Sequence, residues 1–384
     1  MSDHYLPGLE HVIASETSIS FLDLEKEEIV IRGYDLMELA EHVTYVDVVG
    51  LLLEGVLPDG QRRSDIESQI QSVYGLPPNV RAMLHLMPDR ADMMDVLRTS
   101  ISALASFDEE LDDRSTEANT RKAIRLLAKV PQIVAYGYRA LTKQPLIEPD
   151  PNLSYTANFL YMITGVVPTQ LEEKIFDQSL IVYSEHELPN STFTARVIAS
   201  TQSDLYGALV GAVASLKGTL HGGANEAVMH MLLEAGSEDE LEAVIRSKLA
   251  RKERIMGFGH RVYMRKPDPR AMLMKEALAE LAAACKQEEL YAMCVRGEAF
   301  MRTQKQLHPN LDYYAAPVYY LLGIPIELFT PVFLAARTIG ISAHVMEQHA
   351  NNRLFRPRVR YTGARDLHPP QVQQHVPESE DEIV

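Results

Sequence analysis

Past residue 35, apolar side chains recur at three- and four-residue spacing almost throughout the chain, which confines it to a mainly α fold. The repeat is clearest over residues 94–104, 118–141, 153–163, 171–183 and 193–216. Asp35 is placed to cap a first helix running through Ala40. Proline and glycine punctuate the helices at Leu57-Pro58, Leu76-Pro77-Pro78, residues 165–168 and Leu188-Pro189. Strand-like alternation occurs only near the start, where Ile19, Phe21, Ile29 and Ile31 fall at period two within 17–24 and 28–32, a short N-terminal β-hairpin. A chain of 384 residues suggests two domains, yet no internal repeat and no Gly/Ser linker divides it. A second domain must therefore be inserted within the first.

Lys and Arg number 37 against 53 Asp and Glu, a formal charge of −16, which argues against a nucleic-acid-binding surface. Cys285 and Cys294 are too few for a disulfide framework and fit no zinc spacing. The N-terminus has neither a basic and apolar leader nor the Arg-rich character of a transit peptide, so a cytoplasmic setting is expected. The most apolar stretch, 313–346, is interrupted by Pro317, Pro325, Glu327, Pro331 and Arg337, and reads as buried helices rather than a membrane span. Residues 367–384, with Pro369-Pro370 and an acidic run from Glu378 to Glu382, are expected to form a solvated, disordered tail.

Common catalytic signatures are absent. There is no G-x-S-x-G elbow, no H-E-x-x-H and no Walker A loop, and Gly257-Phe258-Gly259 runs into His260-Arg261 rather than a dinucleotide fingerprint. His344 and His349 flank Glu347, but five residues along a helix turn them about 140° apart, which suits core histidines better than metal ligands. No metal is expected.

Three segments concentrate histidine, glycine and charge. In Lys217-Gly218-Thr219-Leu220-His221-Gly222-Gly223, the glycines permit close approach, and the apolar run from Ala227 puts His221 near a helix N-terminus. The positive helix end disfavours an imidazolium there and leaves a neutral ring able to donate one hydrogen bond; a helix-capping His is the plainer alternative. The segment from Ile255 to Arg270 places His260, Arg261, Arg265, Lys266 and Arg270 after a glycine-bordered turn, a pattern suited to phosphates or carboxylates unless it is simply a solvated basic loop. In His308-Pro309-Asn310-Leu311-Asp312-Tyr313-Tyr314, Asp312 lies among apolar and aromatic residues, where burial makes a carboxylate a better base; on its own it reads as a helix N-cap.

Arg337 inside the apolar helix 331–346 needs a partner, structural or substrate, because an unpaired buried charge is costly. Arg356-Pro357-Arg358 follows that helix, and His186 belongs to a polar stretch, Glu185-His186-Glu187, that alone reads as a solvated loop. Together, two histidines, a carboxylate and several arginines suit proton transfer next to a carbonyl on a polyanionic substrate.

These segments, in this order, resemble the citrate synthase family, and most closely the 2-methylcitrate synthases of Gram-positive bacteria. The resemblance runs from Ile31-Arg32-Gly33-Tyr34-Asp35-Leu36 to Arg356-Pro357. It implies a mainly α homodimer with a large domain (1–220 and 317–366) and an inserted small domain (221–316) that closes over the substrates. It implies that Asp312 takes the α-proton of an acyl-CoA, His221 stabilises the enolate and His260 polarises the oxaloacetate carbonyl. His186, Arg270 and Arg337 would hold oxaloacetate's carboxylates, joined by Arg356 from the other subunit, with Arg98 a further anion contact. Arg254, Ile255, Met256, Gly257 and Phe258 would line the CoA adenine site, and Arg265 or Lys266 would meet a CoA phosphate. The CoA thioester would be a co-substrate, with no permanently bound cofactor and no metal.

The chain also departs from the family. Arg270 follows His260 by ten positions rather than nine, and Asp92-Met93-Met94-Asp95 precedes Arg98 where His-Pro-Met is usual. Tyr313-Tyr314-Ala315-Ala316 after Asp312 resembles methylcitrate synthases and leans the acyl choice toward propionyl-CoA, with acetyl-CoA also used. A strict citrate synthase is the alternative; a non-catalytic protein binding acyl-CoA or dicarboxylates and a purely structural helical dimer are more remote.

Overall fold

The computed structural model describes residues 5–9, 12–23, 25–26, 28–260 and 266–369. The chain divides into two compact units: one is Thr17–Phe355, the other comprises the described parts of Met1–Glu16 and Arg356–Val384. The terminal unit carries a single 3-10 turn, Pro7–Leu9, and stacks the Arg360 guanidinium 5.7 Å from the Tyr5 ring. Its residues from 356 to 369 are exposed, and residues 370–384 of the expected tail lie outside the described residues.

Thr17–Phe355 begins with a three-stranded antiparallel sheet, β1 (Ser20–Asp23), β2 (Glu28–Ile31) and β3 (Tyr34–Asp35), one strand more than the expected hairpin. The extra strand forms because Arg32 (φ 50°) and Gly33 (φ 92°) make a two-residue turn that pairs Ile31 with Tyr34. The expected inward face is also revised: Ser20 and Leu22 are buried and Phe21 faces solvent. Ser20 points inward because its hydroxyl donates to the buried Glu185 (2.8 Å).

Sixteen α-helices follow among the described residues. The first ten are α1 (Leu36–His42), α2 (Tyr45–Glu54), α3 (Gly60–Ser72), α4 (Pro78–Leu86), α5 (Met93–Ala105), α6 (Thr116–Leu141), α7 (Tyr155–Thr164), α8 (Gln170–Ser184), α9 (Asn190–Ala199) and α10 (Leu205–Leu216). The remainder are α11 (Ala224–Ala235), α12 (Glu238–Ala250), α13 (Pro269–Cys285), α14 (Glu288–Lys305), α15 (Leu311–Leu321) and α16 (Phe329–Ala350). Asp35 caps α1 as expected, accepting from the amides of Met37 and Glu38. The periodic run 193–216 is two helices rather than one. Gln202 adopts φ 66°, and Asp204 caps α10 by accepting the Gly207 amide, so the chain restarts there.

The stretch Ile326–Ala350, which contains α16, is long and apolar enough to cross a membrane, but 83% of its apolar window is buried inside the protein. It is a core helix, packed against α6, α8, α9 and α10. Within residues 221–316, α11 packs on α12, α13 on α14, and α12 on α14, while α15 lies against α11 and α13.

One close approach fixes how α8 ends on α16. A Cβ on Gly340 would collide with the Ser184 carbonyl oxygen and with a Glu185 carboxylate oxygen. Both are held in place, so neither can swing away as a surface side chain could. Gly340→Ala should therefore destabilise the protein by about 1–3 kcal/mol, as overpacking does in a close-packed interior. The check is the urea midpoint at constant m; a midpoint equal to wild type would show that the approach is looser than described.

Candidate active site

The end of α8 supplies the first wall. Arg337 of α16 donates its Nε hydrogen to the Tyr183 carbonyl, and its guanidinium lies 4.6 Å from the centre of the Phe333 ring. Glu185 is fully buried, and its Oε1 accepts from Ser20 (2.8 Å) and from His344 Nε2 (3.0 Å). His344 Nδ1 lies 2.9 Å from an Arg196 nitrogen. Arginine can only donate, so the proton on a neutral His344 ring sits on Nε2, facing Glu185. Arg196 in turn pairs with Glu347 at 2.7 Å. His186, next in the chain, is thus delivered by a clamped backbone and not by a solvated loop. Its Nε2 is buried and has no hydrogen-bond partner among the described residues.

His221 sits on a turn closed by its own amide on the Gly218 carbonyl (2.8 Å). Gly222 is required there, since a Cβ would strike the Leu216 carbonyl oxygen. The Ser191 amide at the start of α9 donates to His221 Nε2 (3.1 Å), and the Ser191 hydroxyl lies 2.9 Å from the same nitrogen. A nitrogen that accepts from an amide carries no proton, so the neutral ring presents Nδ1–H. Burial, aided by the Arg337 charge, pushes its pKa down to about 4. Neutrality was expected at this position from the nearby start of α11; burial and the Arg337 charge favour it as well.

His260 and Asp312 are joined by a short backbone pairing. The Gly259 amide donates to the His308 carbonyl and the Asn310 amide to the Gly257 carbonyl, both at 2.9 Å. Asn310 also donates its side-chain amide to the Gly259 carbonyl (3.0 Å). Gly257 has φ 84°, and a Cβ there would press on Val228 and Tyr313. The N-cap of α15 is Asn310, which accepts the Asp312 amide at 3.1 Å. Asp312 is therefore released from the capping role that its sequence context suggested. Its Oδ1 accepts from the Tyr183 hydroxyl (2.8 Å), and burial raises its pKa.

The N-terminus of α13 completes the cluster. Asp268 caps it and grips Arg270 through Nε (3.0 Å) and Nη2 (2.8 Å), a buried two-pronged pair. Arg270 Nη2 lies 3.5 Å from His260 Nε2, and the His260 ring meets His186 edge-on with centroids 5.3 Å apart. Burial and the Arg270 charge lower His260 to about 4; burial, Arg270 and Arg337 hold His186 well below the usual value. Arg337 itself is lowered to about 10 by burial, with Glu185 opposing. The arginines are not bare cations, since Asp268 and Glu185 stand beside them.

The structure thus gathers His186, His221, His260, Arg270, Asp312 and Arg337. Arg98 pairs with Asp95 one turn back on α5 (2.8 Å). The usual His-Pro-Met before Arg98 is here an acidic helix start, and Asp95 captures the guanidinium. Arg356 is an exposed residue of the terminal unit and donates to the Pro357 carbonyl (3.1 Å). Ile255, Gly257 and Phe258 are buried, Met256 is half-buried, and Arg254 and Lys266 are exposed. Arg265 lies outside the described residues. Tyr183, Glu185, Ser191 and Asp268 were missed. Only Asp268 carried a legible signal, an Asp-Pro helix start just before Arg270.

The family model described as "Citrate synthase, C-terminal domain" matches residues 8–358. The chain is 59% identical over 362 residues to a protein of Bacillus subtilis named citrate/2-methylcitrate synthase, covering 94% of this chain and 97% of that one. It is 59% identical over 366 residues to a citrate synthase of Heyndrickxia coagulans, covering 95% and 98%. Among solved structures, it matches the ternary complex of carboxymethyl coenzyme A and oxaloacetate with citrate synthase from Thermoplasma acidophilum. That match has a TM-score of 0.89 and 29% identity, covering 94% of this chain and 97% of that one.

The depressed histidines set a pH dependence. An imidazole whose folded pKa lies below its unfolded value adds stability that is complete above that unfolded value and is lost as pH falls. For His221 and His260 the window runs from 6.5 down to about 4. The urea midpoint of the ligand-free protein should fall through that window, and His260→Gln should reduce the slope by one proton. A slope unchanged in His260→Gln would mean that His260 titrates as a solvated ring.

Proposed function

The chain belongs to the citrate synthase family, and from that premise we infer that it joins the α-carbon of a short acyl-CoA to the carbonyl carbon of oxaloacetate and releases CoA. Propionyl-CoA gives 2-methylcitrate and acetyl-CoA gives citrate. The observation that carries this reading is a buried carboxylate, Asp312, in one cluster with a His221 whose proton is on Nδ1, both facing Arg337.

Asp312 removes the α-proton, and the C–H electron pair moves into the thioester as an enolate. His221 Nδ1–H donates to the enolate oxygen, which needs a neutral donor rather than an acid strong enough to lose its proton. His260 donates to the oxaloacetate carbonyl oxygen as the new carbon–carbon bond forms. Arg270, Arg337 and the unpartnered Nε2 of His186 hold the carboxylates. Water then cleaves the condensed thioester, releasing CoA and making the reaction run forward. These steps call for neither a metal nor a resident cofactor; the CoA ester is a co-substrate. Arg254, Ile255, Met256, Gly257 and Phe258 receive its adenine, with Lys266 or Arg265 on a phosphate.

The remaining parts of the reading are a cytoplasmic homodimer whose Arg356 reaches the other subunit's oxaloacetate, and a 221–316 domain that closes to exclude water. Acyl choice turns on one methylene, worth about 1–3 kcal/mol in a pocket, so both esters are substrates. A thiol-release assay should show CoA appearing with either ester only when oxaloacetate is present. Release with acetyl-CoA alone would make the enzyme a strict citrate synthase, and release with neither would overturn the reading.

The shared site has its own test. Asp312→Ala and Arg356→Ala should each be inactive alone. After mixing, unfolding and refolding, random pairing should restore about a quarter of wild-type activity, because each heterodimer regains one intact site. No recovery in a mixture shown to contain heterodimers would place Arg356 outside the partner's site.

A further inference from the structure

We infer that Tyr183 is a positioning residue for proton removal: its hydroxyl aligns the Asp312 carboxylate while its carbonyl anchors Arg337, holding the base and an oxaloacetate contact in one frame. The inference rests on the reading of Asp312 as the base. Tyr183 is in the last turn of α8, where carbonyls lack helical partners, and Arg337 takes its carbonyl oxygen. The side chain is only 2% exposed. Its ring is wedged between Phe333 (centroids 4.8 Å apart) and Tyr319 (6.2 Å), so the hydroxyl has one available direction. That direction ends on Asp312 Oδ1 at 2.8 Å.

Burial and the Asp312 charge push the Tyr183 phenol well above its usual pKa, so the group stays protonated and must donate. Two consequences follow for the base. First, Oδ1 is occupied, and Oδ2 has no hydrogen-bond partner among the described residues. The α-carbon's proton therefore goes to Oδ2, while its electron pair enters the thioester as the enolate. Second, the donor stabilises the charged carboxylate against burial. The other groups facing Asp312 are Arg270 and Asp268 from α13, Arg337 from α16 and Tyr319 on its own helix. None of these donates a side-chain hydrogen bond to the carboxylate, so Tyr183 is the contact that sets both its direction and its basicity.

The test compares wild type, Tyr183→Phe and protein with 3-fluorotyrosine placed at 183, reading kcat against pH and the oxaloacetate dissociation constant by calorimetry. Losing a hydrogen bond to a charged group should lower kcat roughly tenfold or more and move the acid limb of the profile up by about one to two pH units. Oxaloacetate affinity should stay within about twofold, because the backbone carbonyl that holds Arg337 is unchanged. Fluorotyrosine, a stronger donor of nearly the same shape, should move the acid limb down. It decides the matter alone if the phenylalanine variant does not fold. An acid limb that does not move in the variants, or a loss of oxaloacetate affinity as large as the loss in kcat, would overturn the inference and leave Tyr183 structural. A wild-type enzyme with no turnover would instead overturn the reading of Asp312 as base, and this inference with it.

Discussion

The Arg337 guanidinium, buried in the middle of α16, is the constraint around which the rest of the site is arranged. An unpaired charge at that depth would be strongly destabilising, so the fold must bring it partners. It obtains three kinds: the Tyr183 carbonyl at the end of α8, the face of Phe333, and the charge of Glu185. Glu185 is itself fully buried, and it draws in His344 and Ser20. His344 brings Arg196, and Arg196 brings Glu347, whose other oxygen accepts the Ser18 amide (2.8 Å). The strand β1, the helices α8 and α9 and the core helix α16 are thus tied through one chain of buried polar groups. Because every member is needed to satisfy the next, the network specifies geometry more than it adds net stability.

That geometry solves an electrostatic problem with opposing demands. In the proposed reaction a base must be charged and a hydrogen-bond donor to an enolate must be neutral, in one small volume. Burial disfavours charge on both kinds of group, lowering His221 and His260 to about 4 and raising Asp312. Arg270 and Arg337 then act in opposite senses on the two kinds. Their field counters the effect of burial on the Asp312 carboxylate, and it further discourages protonation of His186, His221 and His260. Two cations therefore separate the acid–base roles of neighbouring groups without touching most of them. A bound dicarboxylate would offset that field, so substrate binding and the proton affinity of the ring nitrogens are coupled.

The helical class and the segments that form the candidate site were legible in the sequence because both are local. Spacing reveals an amphipathic helix, and glycine beside histidine reveals a close approach, as at His221-Gly222 and His260 after Gly259. What was illegible is pairwise and distant. Asp312 looked like a helix cap because capping preference depends on the residue alone, whereas Asn310 occupies the cap and frees Asp312 for Tyr183, 129 positions away. His186 looked like a loop residue because nothing in its neighbours reveals that Glu185 will meet His344, 159 positions on. Ser20 pointed inward against its alternation for the same reason. For Arg98, which the resemblance offers as an anion contact, the partner in the structure is the local Asp95.

These distant pairs also explain why the two sides of the site must register with one another. Asp312, His260 and Arg270 belong to a continuous structure, since Asp268 holds both Arg270 and the Leu311 amide (3.2 Å) and Asn310 holds the 257–259 backbone. His186, His221 and Arg337 belong to another, fixed by α16 and by Ser191. The Tyr183–Asp312 hydrogen bond and the edge-on contact of His186 with His260 join them. In the proposed reaction, each of those two contacts pairs a group that binds or positions with one that performs chemistry. A relative movement that separates the two structures at these contacts would, on the proposed reading, disturb the base and the carbonyl donor together. On the proposed reading, chemistry is confined to the arrangement in which both contacts are made, because only there are the base and the carbonyl donor aligned together.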